Sequence, residues 1–193
     1  MAEFVQHHAE QPEVRALLDE VVKIAGVENK LNAISRQLIQ WIDEDKKITP
    51  LKTLQGMIWK AGYENGDFKG HVYPDVEPVL RKWHEQGIRL YVFSSGSVEA
   101  QKLIFGYSEA GDLTPLFSGY FDTQIGNKRE AESYKNIISK INVEPDEILF
   151  LSDIEQELDA AKEAGINTLQ LVRGGTISSK RHKTVTNFEQ INL

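Results

Sequence analysis

The sequence predicts an α/β protein, in which a helical first part is followed by a parallel β-sheet that helices cover on both faces. Up to residue 87, apolar residues recur at helical spacing. From Ile88 onward, apolar runs of strand length alternate with helical segments. These runs are almost continuously apolar, which is typical of parallel strands buried on both faces. We therefore expect a helical region over residues 1–70 and an α/β region over residues 71–193.

The helical region is expected to contain three amphipathic helices. The first begins near Pro12 and ends before Gly26. The third takes Thr49 as its N-cap, Pro50 as its first helical residue and Gly62 as its end. The apolar positions that define the three helices are Val14, Leu17, Leu18, Val21 and Val22, then Leu31, Ile34, Leu38 and Ile42, then Leu51, Leu54 and Ile58.

The α/β region begins with a helix that follows Pro74 and stops at Gly87. The predicted strands are residues 88–94, 120–123, 148–152 and 168–172. The predicted helices between them are residues 98–105, 133–141 and 154–164. The polar tail 174–187 is predicted to be a loop, and its basic cluster 180–183 to be solvated.

Composition argues against several classes of function. The chain has 193 residues, a net charge of −7 and no cysteine, so it offers neither a disulfide framework nor a thiolate metal site. Its acidic balance argues against a nucleic-acid or anionic-membrane surface. No apolar stretch approaches the roughly 18 residues of a membrane helix, and we expect no signal peptide. These features predict a cytoplasmic protein that binds neither nucleic acid nor membrane.

A polar turn follows the first predicted strand. Ser94, Ser95, Gly96 and Ser97 lie between that strand and the next helix. The free N–H groups and the dipole at the start of a helix favour an anion, and serine hydroxyls add donors without adding charge. Gly96 would let the backbone approach a ligand closely. We predict a phosphate site here; the simpler alternative is a plain strand-to-helix turn with a serine cap.

Two charged residues complete the candidate site. Asp153 ends the apolar run 148–152 at the edge of the sheet where ligands bind, and its carboxylate suits Mg²⁺; the alternative is an N-cap. Lys128 can supply a point charge to a phosphate, although a lone lysine is far more often a solvated surface residue, and Lys135 lies nearby. The acidic residues of the next helix are expected to stay solvated, namely Glu155, Glu157 and Asp159.

The order of these residues along the chain, Ser, Lys and then Asp, differs from the order Asp, Ser/Thr, Lys of response-regulator domains. It is similar to motifs two to four of the haloacid dehalogenase superfamily. More closely, the chain resembles the enolase-phosphatases of methionine salvage from about Glu10 to the C-terminus. The segments that carry the resemblance are ITPLKTLQGMIWKAGYENGDFKGHVYPDV, YVFSSGSVEAQKLIFGYSEAGDL, GYFDTQIGNKREAESY and ILFLSDIEQELDAAKEAG.

The resemblance implies a haloacid dehalogenase-like, Rossmann-like parallel sheet with a helical cap over residues 1–70. It also implies a monomeric, Mg²⁺-dependent phosphatase whose substrate is 2,3-diketo-5-methylthiopentyl 1-phosphate, enolised and then dephosphorylated to an acireductone. Carried over by position, Ser94, Ser95 and Gly96 would bind the substrate phosphate. Lys128 would also bind it and balance charge during catalysis, and Asp153 would hold Mg²⁺.

One motif of the family is not found. Its members open with an apolar strand ending in Asp-x-Glu-Gly-Thr, whose Asp is the nucleophile. In this chain Asp19 lies in a predicted helix, and residues 43–45 form a charged link. We expect the first, central strand to be missing and the chain alone not to turn over its substrate. The strands at 88–94 and 148–152 would then pair directly or leave two inner edges open to self-association, with a loss of stability.

Two other functions fit the same residues. A non-catalytic phosphate-binding relative would keep Ser95, Lys128 and Asp153 without the chemistry, and binding without turnover by a well-folded chain would favour it. A generic phosphatase of the same superfamily would act on another small phosphate ester, which a substrate screen would detect.

Overall fold

The computed structural model describes all 193 residues and divides them into two compact units, Met1–Phe68 and Lys69–Leu193. The first unit has one apolar core, and the second has two apolar clusters of its own. None of the eight α-helices combines the length and the apolar character that crossing a membrane requires.

The first unit consists of four helices. They are α1 Ala2–His8, α2 Pro12–Ala25, α3 Leu31–Asp43 and α4 Thr49–Asn65. The periodic apolar residues predicted to define the helices line the core, except Ile42, which is exposed, and Ile58, which lies outside the core cluster. Five of them are completely buried: Leu18, Ile34, Leu38, Leu51 and Leu54. Helix α1 was not predicted, because it is short and only Val5 on it is fully buried.

The predicted ends of α4 are wrong on both sides. Ile48 occupies the N-cap position, so Thr49 is the first helical residue and makes no capping bond. At the other end, Gly62 is buried inside the helix, against the ring of Phe68. The helix continues to Asn65 and ends at Gly66, whose φ of 77° is the left-handed conformation that glycine adopts readily. Gly62 therefore serves a close contact and not a helix end.

The second unit alternates helices and strands, as predicted. Its helices are α5 Val76–Glu85, α6 Val98–Gly106, α7 Ala131–Ile141 and α8 Glu155–Glu163. Its strands are β1 Leu90–Phe93, β2 Phe117–Phe121, β3 Leu149–Ser152, β4 Asn167–Leu171 and β5 Lys183–Val185. Three short 3₁₀ turns are Thr114–Leu116, Pro145–Glu147 and Phe188–Gln190.

The strands form two parallel sheets in place of the one sheet expected. Strand β1 pairs only with β2, and the second sheet has the order β3-β4-β5. Strands β1 and β3 are not paired with each other, so each has one edge without a partner strand. This is the second of the two arrangements anticipated from the sequence. Most residues of β1 and β3 are accordingly half-buried, and the prediction of strands fully buried on both faces is wrong for them.

The ring of Tyr134, on α7, contacts a strand of each sheet. It packs edge-on against Phe93 of β1 and Phe150 of β3, with ring centroids 5.6 and 5.1 Å apart. Side-chain packing in this cluster joins strands that share no backbone hydrogen bonds.

The tail contains a strand that the sequence did not predict. Strand β5 lies within the expected loop and pairs in parallel with β4. His182, which the prediction placed in a solvated basic cluster, is buried between Thr168 Oγ1 at 2.9 Å and Asp159 Oδ1 at 3.0 Å. The three residues of β5 are too few to show a periodicity, and charge is common on edge strands. The loop prediction is therefore wrong at these positions.

Candidate active site at the carboxyl ends of β1 and β3

The polar turn after β1 has bonded and free hydroxyls. Ser97 Oγ accepts the Ala100 N–H at 3.2 Å and so caps α6. Ser94 Oγ accepts the Gly96 N–H at 3.1 Å within the turn. Ser95 is exposed, and its hydroxyl has no hydrogen-bond partner in the protein. The capping alternative thus describes Ser97, while Ser95 remains available to a ligand.

Lys128 lies in the segment between β2 and α7, and two buried side chains of α7 hold that segment. Tyr134 Oη donates to the carbonyl of Lys128 at 2.7 Å, and Ser133 Oγ donates to the carbonyl of Asn127 at 2.7 Å. Gly126, at φ 135°, packs so closely on Ser133 that a Cβ there would overlap its hydroxyl. The backbone from which the lysine side chain extends is therefore fixed.

The ammonium group of Lys128 lies near side chains from the carboxyl ends of both β1 and β3. Its Nζ lies 5.9 Å from the ring centroid of Phe93, the last residue of β1. The same Nζ is 2.6 Å from Glu157 Oε2, and Ser152 Oγ donates to that oxygen at 2.9 Å. Ser152 is the last residue of β3. Lys128 therefore bridges the carboxyl ends of β1 and β3.

Glu157 is the site residue that the sequence prediction missed. It was expected to stay solvated, but it is buried on α8, where Lys128 and Ser152 satisfy its carboxylate. A signal was present in the sequence: Glu157 stands three and four residues before Ala160 and Ala161, on the apolar face of the helix.

The environment of Glu157 also affects the Tyr134 hydroxyl. Burial raises the pKa of Tyr134, and the nearby negative charge of Glu157 raises the same pKa further. The phenol therefore stays protonated and keeps donating its hydrogen bond to the Lys128 carbonyl.

Asp153 directly follows β3, and its carboxylate is exposed without a hydrogen-bond or ion-pair partner. The N-cap position of α8 belongs to Ile154, without a side-chain capping bond, so the capping alternative does not describe Asp153. No three His, Asp or Glu residues of the chain lie together as a metal site. Because Mg²⁺ is often bound by one or two carboxylates together with waters and substrate phosphate, an unpaired carboxylate here fits as one ligand.

The five predicted site residues thus fall in one region of the second unit. Ser94, Ser95 and Gly96 follow β1, and the ring of its last residue lies beside Lys128. Asp153 follows β3, and the last residue of that strand donates to the Glu157 oxygen that also pairs with Lys128. Lys135, the other lysine considered, is exposed on α7 and pairs with Glu132 at 3.5 Å.

Comparison with sequence families gives a consistent result. Residues 2–165 match the model of the haloacid dehalogenase-like hydrolases. The chain is 52% identical over 190 residues to the enolase-phosphatase E1 of Erwinia tasmaniensis, covering 98% of this chain and 83% of that protein. It is 55% identical over 193 residues to the enolase-phosphatase E1 of Citrobacter koseri, covering 100% of this chain and 84% of that protein.

Solved structures show the same similarity. The UTR4 protein of Saccharomyces cerevisiae is 33% identical and superimposes with a TM-score of 0.83, over 98% of this chain and 86% of that one. CbbY of Rhodobacter sphaeroides, solved in complex with phosphate, has a TM-score of 0.63 over 94% of this chain and 90% of that one. Its 15% identity supports a shared fold only.

Proposed function

This chain belongs to the enolase-phosphatase family of haloacid dehalogenase-like hydrolases, and on that premise we propose that it serves methionine salvage as an Mg²⁺-dependent enolase-phosphatase. Its substrate would be 2,3-diketo-5-methylthiopentyl 1-phosphate and its product an acireductone. The contact that carries the proposal is the bridge made by Lys128, 2.6 Å from Glu157 and 5.9 Å from the Phe93 ring. It supports one phosphate site between the polar turn and Asp153.

In this proposal the phosphoryl group is held by donors from two segments of the chain. Ser94, Ser95 and Gly96 bind it from the turn, where the hydroxyl of Ser95 has no other partner. Lys128 binds it as well, because an ammonium has three hydrogens and its contact with Glu157 is to one carboxylate oxygen, Oε2, at 2.6 Å. The lysine also offsets negative charge that accumulates on the phosphoryl oxygens during transfer.

The exposed carboxylate of Asp153 would hold Mg²⁺, which supplies positive charge at the phosphoryl group when bound. We also propose that residues 1–70 are the helical cap of the family. The division of the chain into units at Phe68 and Lys69 supports this assignment.

The 193 residues contain no Asp-x-Glu-Gly-Thr sequence, the source of the nucleophile in this family. We propose that a polypeptide of these residues alone binds the diketone phosphate but does not hydrolyse it, because binding and charge neutralisation remain without the attacking group. The test measures binding by calorimetry and phosphate release with Mg²⁺. Failure to bind contradicts the proposed function, and turnover near that of a full-length relative contradicts the expected inactivity.

A pair of lysine variants tests the phosphate site. Lys128→Met keeps the aliphatic stem and removes the charge, so we expect orthophosphate affinity to fall about tenfold, since a hydrogen bond to a charged group contributes about 1.5–3 kcal/mol. Lys135→Met, which removes an exposed charge on the next helix, is the matched control and should bind orthophosphate as the parent does. Equal affinities for the two variants would remove Lys128 from the site.

The non-catalytic phosphate-binding protein remains the second candidate function, because the exposed hydroxyl of Ser95, the ammonium of Lys128 and the carboxylate of Asp153 suit phosphate and metal binding without requiring a nucleophile. The two functions differ when the chain is extended by an apolar strand ending in that motif. Mg²⁺-dependent turnover by the extended chain supports the phosphatase, and a panel of other small phosphate esters then separates the diketone phosphatase from a generic one.

A further inference from the structure

The buried side chain of Gln170 forms three hydrogen bonds, all to backbone groups. This residue of β4 is only 1% exposed. Its Nε2 donates to the carbonyls of Asp153 and Ile177, each at 3.1 Å, and its Oε1 accepts the Ser179 N–H at 2.6 Å. Both amide hydrogens and the amide oxygen are thus used, and all three bonds go to the loops that follow β3 and β4.

The loop held by Gln170 is also fixed to helix α8. Ser179 Oγ donates to Glu155, and Arg181 pairs with Glu155 at 2.9 Å and with Asp159 at 2.8 Å. The buried ring of His182 contacts the same Asp159. Gln170 therefore connects the backbone of Asp153 to a segment that is itself anchored.

A second buried glutamine occupies the corresponding place beside the polar turn. Gln101 of α6 is 3% exposed. Its Nε2 donates to the carbonyl of Gly96 at 2.8 Å and to the carbonyl of Phe121 at 2.9 Å. Each half of the candidate site thus has a buried amide that joins the carboxyl ends of two neighbouring strands.

We infer that Gln170 is a positioning residue for Asp153, and that it sets the affinity of that carboxylate for a divalent cation. The inference rests on the metal role of Asp153 in the proposed function. Asp153 has an exposed carboxylate without a partner, so its direction depends on the backbone that carries it. The carbonyl of that same residue is held by Gln170. Groups that orient a metal ligand commonly change metal affinity by 10–100-fold when they are replaced.

The test compares the same isosteric substitution at both glutamines. Gln170→Met and Gln101→Met keep side-chain volume and remove every amide bond. Mn²⁺ binding is measured by electron paramagnetic resonance and orthophosphate binding, without metal, by calorimetry. We expect Gln170→Met to weaken Mn²⁺ about tenfold and to leave orthophosphate affinity unchanged. Gln101→Met should weaken orthophosphate and leave Mn²⁺ unchanged. Asp153→Asn removes the carboxylate ligand itself, so its Mn²⁺ affinity shows how far binding falls when Asp153 contributes no charge.

The outcomes separate this inference from the function on which it rests. If the parent chain binds Mn²⁺ and Gln170→Met binds it equally well, the inference is wrong and the metal role of Asp153 stands. Equal loss of Mn²⁺ in both glutamine variants indicates general loosening and also overturns the inference. If the parent chain does not bind Mn²⁺, the metal role itself fails. Should Gln170→Met not give a cooperative thermal melt, Gln170→Asn replaces it, because the shorter amide cannot span the same three partners.

Discussion

At the scale of single residues, Glu157 organises the candidate site from a position where a carboxylate is seldom found. Its Oε2 pairs with the ammonium of Lys128 and accepts the hydrogen bond of the Ser152 hydroxyl, so this buried charge is both paired and hydrogen-bonded. Removing only one partner of such a pair leaves an uncompensated charge in the interior, which is usually more costly than the pair is stabilising.

A second ion pair with little exposure, between Arg173 and Asp75, lies away from the candidate site. Arg173 bonds both carboxylate oxygens of Asp75, which also accepts the Phe188 N–H at 2.8 Å. The guanidinium lies 4.0 Å from the ring centroid of Tyr73. The hydrogen bond from Arg173 lowers the pKa of Asp75, and the Phe188 N–H lowers it further against the opposing effect of burial.

This pKa shift predicts part of the acid sensitivity of the fold. A carboxyl whose pKa is lower in the folded state stabilises the protein fully above its ordinary pKa of 3.8. That stabilisation is lost as pH falls below this value through the folded-state pKa. We expect Asp75→Asn to cost on the order of 3 kcal/mol at neutral pH, and less as pH is lowered, in urea unfolding from pH 7 to 3.

The matched control is Asp45→Asn. The pKa of Asp45 is also lowered by its lysine partner, but that ion pair is exposed, and Asn tolerates the positive φ of 49° at this position. No measurable change is expected there. If the loss of unfolding free energy in Asp75→Asn does not depend on pH, the contact with Arg173 stabilises the fold without any contribution from the charge of the carboxylate.

At the scale of elements, two glycines of α4 have opposite environments. Gly56 has open space where a Cβ would stand, whereas Gly62 is covered by the ring of Phe68. Both have helical backbone. Gly56 therefore weakens the helix without a packing benefit, whereas Gly62 permits a close contact with the Phe68 ring.

We expect Gly56→Ala to raise the free energy of unfolding by about 0.5–1 kcal/mol, because alanine loses less conformational freedom in a helix. Gly62→Ala offers the same gain in helix propensity but displaces the Phe68 ring, so it should give no increase. Chemical denaturation of both variants measures the difference. Equal stabilisation by both would mean that Phe68 does not pack on Gly62.

At the scale of the whole molecule, the second unit has a core shared by two sheets that are not hydrogen-bonded to each other. The apolar side chains of Leu90, Leu149 and Leu151 belong to one cluster, yet β1 and β3 each keep an open edge. Unpaired N–H and C=O groups on an apolar strand are a template for pairing with another chain.

We therefore expect the 193-residue chain to self-associate as its concentration rises, with an average mass above that of the monomer in light scattering. Hydrogen exchange gives an independent measure. Amides of β4, which is paired on both sides, should be more protected than those of β1 and β3. A monodisperse monomer at all concentrations, with a sharp cooperative melt, would contradict this expectation.

Some features of the molecule were determined by the sequence alone. The alternation of helices and strands, the polar turn after β1 and Asp153 at the end of β3 follow from apolar spacing and turn-forming residues, which act over a few neighbouring positions. The family resemblance rests on the same local segments, and the comparisons confirm it.

Other features were decided only by the tertiary structure. The continuation of α4 past Gly62 depends on the packing of the Phe68 ring against that glycine, a contact that apolar spacing does not indicate. The burial of Glu157 and the strand formed by Lys183–Val185 depend on partners distant along the chain, namely Lys128 and strand β4. Local patterns do not contain those partners. The division of the strands into two sheets has the same origin, because backbone hydrogen bonding of a strand depends on which other strands lie beside it.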